Sequence, residues 1–184
     1  MLRKKISEMI RVNHAGEFGA KYIYQGQIKA FELKKDHESK KLVEEMKEHE
    51  DIHFDYFDDK VISQKTRPTL ISPLWKAGGY AMGFITAMLD KKAAMTCTTA
   101  VEEVIDEHYQ EQIEFIEKER KYLSSQEKEE ISELESKIKE FREDELHHRD
   151  IGYENHASDY KFFHPLTAVI KIITKSAIAI SKKI

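Results

Sequence analysis

Apolar residues recur every three to four positions through most of this chain, the spacing that places side chains on one face of an α-helix. The pattern predicts four long helices, over about 7–32, 36–61, 91–123 and 126–155. Asp36 stands where its carboxylate can accept from the free amides of the second helix's first turn. Between the second and third helices the stretch TRPTLISP, with Pro68 and Pro73, breaks the period. Two further segments are apolar in a different way. Residues 74–89 are apolar on nearly every side with one Lys, and 165–184 mix Ile and Ala with spaced Lys. The first is shorter than the ~20 residues a spanning helix needs and the second is interrupted by charge, so neither is expected to cross a bilayer. The expectation is an all-α fold in one domain over 1–184, a four-helix bundle with additional short apolar helices.

The stripes themselves carry the chemistry. The first reads Ile6, Ile10, Asn13, Glu17, Ala20, Tyr24, Ile28, Phe31; the second Leu42, Val43, Met46, Glu50, His53, Phe54, Phe57, Val61. The third reads Met95, Thr98, Glu102, Ile105, Tyr109, Ile113, Ile116; the fourth Leu134, Ile138, Phe141, Glu145, His148, Gly152. Each is interrupted near its middle by a carboxylate, and two interruptions continue with a His three residues on. Four ionised carboxylates in one core would be prohibitive unless paired. Two divalent cations would cancel them, and the two imidazoles would complete the shell. That is the donor set of a ferritin-like di-metal bundle: one Glu from each of two helices, Glu-x-x-His from each of the other two. A lone Glu-x-x-His means little in a chain this rich in both residues. Two, each preceded by a core-facing Glu, form an internal repeat: Glu17 then Glu50/His53, Glu102 then Glu145/His148. Glu50 and Glu145 are then the expected bridging ligands.

Neighbouring candidates sort by rotation. His49, His147 and Glu103 adjoin the proposed ligands, but one residue is a turn of about 100°, off the stripe. His14 and His108 remain open. Tyr109 lies on the stripe itself, where a buried Tyr is as readily a packing residue as a functional one.

Composition narrows the setting. The chain has 184 residues, enough for a sizeable core, with seven Gly, three Pro and 35% charged residues, which favours long solvated helices over sheet. The single cysteine, Cys97, allows no intramolecular disulfide. A net charge of −4 gives no reason to expect a nucleic-acid partner. The basic N-terminus lacks the continuous apolar core of a signal peptide. From Tyr160 to Ile184, however, there are five Lys and no acid. An Ile/Ala-rich helix with that charge bias reads as interfacial, its apolar side in the acyl boundary and its Lys toward anionic headgroups. The alternative is that this helix and 74–89 cover the bundle or a subunit partner.

Carboxylate-rich, nitrogen-poor donor sets suit iron or manganese better than zinc or copper. Two Fe(II) ions could deliver two electrons to O2 together. Whether that oxygen hydroxylates a substrate, oxidises stored iron or disposes of peroxide is not decided by the metal site. A soluble ferroxidase or peroxide scavenger, and a non-catalytic scaffold for lipid biosynthesis, are the competing readings.

RVNHAGEFGAKYIYQGQ (11–27), VEEVIDEHY (101–109) and FREDELHHRDIG (141–152) resemble the demethoxyubiquinone hydroxylase family, and the resemblance covers essentially the whole chain. It implies iron ligation by Glu17, Glu50, His53, Glu102, Glu145 and His148, the six residues selected by the stripes. It further implies roles for His108 and Tyr109 in proton or electron transfer, although Glu107 here stands where members commonly carry another His. The implied reaction is hydroxylation of a lipid-soluble demethoxyubiquinol with O2, NADH being the ultimate reductant. No Gly-x-Gly-x-x-Gly follows a strand, so no dinucleotide-binding fold is expected. The implied location is a membrane surface: the cytoplasmic face of a bacterial inner membrane, or the mitochondrial inner membrane in a eukaryote. Other ubiquinone-biosynthesis proteins, or further copies of the chain, are the implied protein partners.

Overall fold

The computed structural model describes residues 2–183, and these form six α-helices with no strand among them. They are α1 (Leu2–Lys34), α2 (His37–Ser63), α3 (Ser72–Leu89), α4 (Lys91–Glu119), α5 (Ser125–Glu154) and α6 (Phe163–Ser181). α1 and α2 form one antiparallel hairpin, tied by His14–Asp58 at 3.2 Å and Lys21–Asp51 at 2.7 Å. α4 and α5 form a second, tied by Arg142–Asp106 at 2.6 Å and Tyr153–Glu103 at 2.5 Å. The hairpins pack so that α1 opposes α4 and α2 opposes α5, each pair antiparallel.

This topology requires a crossover. α2 ends beside the start of α1, whereas α4 begins at the far end of the bundle. α3, with 18 residues and about 27 Å of rise, spans that distance and runs parallel to α1. It can do so only at close backbone approach. A methyl group at Gly79 would lie 2.7 Å from the Gly19 carbonyl oxygen, and one at Gly26 would lie 2.7 Å from the Phe84 amide nitrogen. A single long crossover between two helical hairpins is the ferritin-like connection.

α6 returns along α4. Lys171 pairs with Glu103 at 2.5 Å and Lys175 with Glu107 at 2.7 Å, and the Trp75 indole donates to Ser181 at 3.1 Å, joining α6 to the start of α3. Two of the five lysines expected to face lipid are thus turned onto the bundle. By length and composition alone, α6 is long and apolar enough to cross a membrane despite its spaced Lys. Here it lies along the bundle.

The third and fourth stripes read from the sequence are fully buried, from Met95 to Ile116 and from Leu134 to Gly152, while Ile6, Ile28, Leu42 and Phe54 on the first two are half-buried. Element ends differ more. Asp36 caps α2, accepting from Ser39 N at 3.0 Å, as expected. α1 starts earlier than predicted, at Leu2, with Lys5 and Glu8 paired at 2.6 Å along its first turns. α4 gives way at Glu119 to a 3₁₀ turn, Arg120–Tyr122, the usual tightening of a last turn. Ser124 and Glu127 then form a reciprocal capping box that fixes the start of α5 at Ser125.

Candidate metal centre

The six stripe interruptions meet at one depth. Glu17 on α1, Glu50 and His53 on α2, Glu102 on α4 and Glu145 and His148 on α5 are each no more than 1% exposed. They fall into two groups of possible ligand atoms, each spanning less than 4.8 Å: Glu17, Glu50, His53, Glu145, and Glu50, Glu102, Glu145, His148. Glu50 and Glu145 belong to both. His53 Nδ1 lies 3.3 Å from Glu145 Oε1, and His148 Nδ1 lies 3.5 Å from Glu145 Oε2, so one carboxylate addresses both imidazoles.

Whether a metal pair fits can be tested on unpaired atoms. Buried polar atoms nearly always have hydrogen-bond partners. Here Glu17 Oε2, both oxygens of Glu50 and of Glu145, Glu102 Oε2, and Nδ1 of both His53 and His148 have none. The pattern sorts the carboxylates. Tyr24 donates to Glu102 Oε1 at 2.6 Å and Tyr109 donates to Glu17 Oε1, so these two Glu keep one unpaired oxygen each. Glu50 and Glu145 keep two. One available oxygen suits a ligand to one cation, and two suit a bridge between cations. With two imidazoles and no thiolate, the set fits a pair of iron or manganese ions.

Electrostatics agrees. Burial, then the charges of Glu145 and Glu17, pushes the Glu50 carboxyl well above its ordinary range. Burial likewise raises Glu102, with Glu145 and Glu50 adding to it. Burial acts in the same sense on Glu145, but the imidazoles of His148 and His53 prevail and hold it low. Desolvation would lower both His, yet the neighbouring carboxylates of Asp144, Glu145 and Glu17 raise His53, and that of Glu145 raises His148. The cluster without cations is therefore a set of carboxylates that cannot all ionise, around one ionised Glu145 shared by two imidazoles.

Tyr109 joins the cluster; His108 does not. The His108 ring lines a crevice beside Lys5 and Lys182, with Nε2 buried and unpaired. Burial, then the charges of Lys182 and Lys5, lowers its pKa to about 4. His14 faces Asp58 and the Phe54 ring. His147 is exposed, and Glu103 is taken up by Lys171 and Tyr153. His49 stays outside the ligand ring but touches it, its Nδ1 3.1 Å from His148 Nε2.

Three contacts around the cluster are not among the expected site features. Asp144 contacts His53 Nε2 at 3.1 Å, although it adjoins Glu145 off the stripe. Asn13 and Gln112 exchange amide hydrogen bonds of 3.0 and 2.6 Å one turn from Glu17 and Tyr109. The role of Tyr24 had a visible signal: Tyr24 follows Glu17 by the same seven residues as Tyr109 follows Glu102. Each Tyr reaches across to the other helix's Glu.

A chain folded this way matches the family described as ubiquinone biosynthesis protein COQ7 over residues 4–181. It is 40% identical to the 3-demethoxyubiquinol 3-hydroxylase of Rhodospirillum rubrum, over 97% of this chain and 78% of that one. It is 37% identical to the NADPH-dependent 3-demethoxyubiquinone 3-hydroxylase, mitochondrial, of Dictyostelium discoideum, over 99% and 79%. The identity to the 5-demethoxyubiquinone hydroxylase, mitochondrial, of Saccharomyces cerevisiae is also 37%, over 97% and 78%. With the match running from the first turns of α1 to the end of α6, and so through every residue of the buried cluster, the chain belongs to the COQ7 family of ubiquinone-biosynthesis proteins.

Proposed function

We propose that this chain hydroxylates a demethoxyubiquinol, 2-polyprenyl-3-methyl-6-methoxy-benzoquinol, with O2, using two iron ions held by Glu17, Glu50, His53, Glu102, Glu145 and His148. The observation that carries this reading is an apolar cavity of about 620 Å³ enclosed by α1, α3, α4 and α6 that reaches Glu17 and Tyr109. Leu74, Met82, Ile85, Leu166 and Ile173 are among its walls. An iron store or a peroxide scavenger has no use for such a space, whereas an apolar cleft with few polar groups at one end suits a quinol ring and the first units of its tail.

When bound, the irons would supply the electron transfers that split O2, one atom entering the ring and the other leaving as water. The chain supplies the rest. Glu17 is the one ligand that lines the cavity, so the Glu17/His53 side faces the substrate. Tyr109 Oη donates to Glu17 Oε1 and stands on the same wall, orienting that carboxylate at the edge of the cavity. Burial and then Glu17 raise the Tyr109 hydroxyl well above its ordinary range, which keeps the proton on it. The apolar walls exclude water, which strengthens each of these polar interactions.

A peripheral membrane location supports delivery of such a substrate. Leu74, Ile85 and Leu89 on α3 and Val169 and Ile172 on α6 are each more than half exposed. Apolar patches of this kind mark interaction surfaces. A reduced nicotinamide nucleotide is the ultimate electron donor in this reading, and the NADPH in the Dictyostelium relative's name makes NADPH as well as NADH a candidate.

The test is anaerobic loading with Fe(II), then addition of O2, a demethoxyquinol and either nucleotide, with the product followed by mass. The expected product carries one added oxygen from O2. Binding of two irons with no hydroxylated quinol under either reductant would refute the activity.

A further inference from the structure

The two halves of the cluster mirror each other, ligand for ligand and Tyr for Tyr. The mirror breaks one shell out. The residue before Glu145 is Asp144 and the residue before Glu50 is His49, and each crosses to the imidazole of the opposite helix. Asp144 Oδ2 lies 3.1 Å from His53 Nε2. His49 Nδ1 lies 3.1 Å from His148 Nε2, with the two rings stacked at 22° and 5.2 Å between centroids. In both histidines Nδ1 faces the central carboxylates, so with a cation on Nδ1 the hydrogen would be on Nε2 and point outward. One imidazole therefore donates to a carboxylate and the other to a second imidazole. Asp144 Oδ1 is 4.0 Å from His49 Nδ1, beyond hydrogen-bond reach, so its direct bond goes to His53 alone.

We propose that Asp144 and His49 are positioning residues that make the two metal positions unequal, the cavity-facing position of Glu17 and His53 binding its ion more tightly than the position of Glu102 and His148. The inference rests on the reading of the six residues as metal ligands. A carboxylate accepting the outer N–H of a ligating imidazole fixes the ring and raises its basicity, and loss of such a partner lowers metal affinity about 10–100-fold. A neutral imidazole acceptor lacks the charge assistance that makes the carboxylate bond roughly twice as strong. The tighter ion would then stand where the substrate cavity reaches the cluster, and the weaker one where the protein closes over it.

Titration of the full chain with cobalt(II) alone, followed by its visible absorption, tests this without turnover. Wild type should take up two equivalents in two resolved steps. Asp144→Asn should weaken the tighter step about 10–100-fold, alter the absorption of that equivalent and leave the other step unchanged; Asp144→Glu should recover part of the loss. His49→Asp supplies the converse. By placing a carboxylate behind His148, it should tighten the weaker step about tenfold, a gain that damaged folding cannot imitate. Both side chains are partly exposed, which favours tolerance of these changes. Steps unaltered by Asp144→Asn, or weakened equally, or no gain in His49→Asp, would refute the inference while leaving the ligand set intact. A wild-type chain that takes up no cobalt would refute the ligand set as well.

Discussion

Glu145 illustrates how much one side chain can hold. It is fully buried, belongs to both groups of donor atoms and presents one oxygen to each imidazole. Glu145→Gln should therefore abolish uptake of both ions, whereas Glu17→Gln should release one; metal analysis after desalting separates the cases. Without metal the carboxylates part company differently. Glu145 is the counter-charge for His53 and His148, so Glu145→Gln should destabilise chelated protein by about 3–5 kcal/mol. Glu50 is pushed toward its neutral form by burial and by its neighbours' charges, so Glu50→Gln should melt at or above wild type. A lower melting point for both would refute this charge assignment. His108 yields a pH prediction. Its folded pKa, about 4, lies below the ordinary 6.5, so the unfolded chain takes up a proton that the fold refuses. Stability is unaffected by this group above about pH 6.5 and falls as the pH drops from there toward 4. The loss is of the order of 3 kcal/mol, and in chelated protein His108→Gln should remove that part of the pH dependence of the melting temperature. At this scale the sequence was legible where function interrupts a period. Glu17, Glu50, Glu102 and Glu145 stood out because each displaces an apolar residue. Asp144 and His49 did not, because their positions one step off the stripe are those of ordinary solvated residues, and only the packing of α2 against α5 gives them partners.

At the scale of elements, the crossover helix is held by what it lacks. α3 approaches α1 along Gly79 and Gly83, where a side chain would meet the backbone of Gly19 and Ile23. Gly79→Ala should push the two helices apart and destabilise the fold by about 1–3 kcal/mol. Gly78 is its control, one residue away and facing open space. Gly78→Ala removes backbone freedom from the unfolded chain and should stabilise by about 0.5–1 kcal/mol. Opposite signs from adjacent glycines, read as shifts in denaturation midpoint, are the expected outcome; equal effects would mean that α3 does not pack on α1 this way. The sequence announced α3 only as an apolar stretch after two prolines, because helical period is invisible when nearly every side is apolar. Helix ends were poorly legible for a related reason. α1, α2 and α5 are each followed within two residues by a non-glycine in the left-handed region, namely Lys35, Lys65 and His156. A glycine there would have marked each stop. The capping box at Ser124 and Glu127, by contrast, is a local signal that could have been read directly.

The whole molecule joins a buried charged cluster to exposed apolar side chains on α3 and α6 through the cavity that reaches Glu17. α3 and α6 contribute to both the cavity and the face. That shared use suggests a division of labour testable by residues that touch only the outside. Ile172 on α6 and Leu89 at the end of α3 are each more than 60% exposed, and neither lines the cavity. Ile172→Glu combined with Leu89→Glu should leave helicity and metal uptake unchanged while reducing binding to vesicles containing anionic lipid at least about tenfold, since a charge is strongly disfavoured at the acyl boundary. Turnover of a quinol with a short, water-soluble tail should persist, because its path to Glu17 and Tyr109 is intact. Turnover of a long-tailed quinol presented in vesicles should fall with the binding. Unchanged vesicle binding would reassign the apolar face to a protein partner. Loss of activity on both substrates would mean that the outer face and the cavity are one structure, and that the bundle needs its cover in place before the cluster can work.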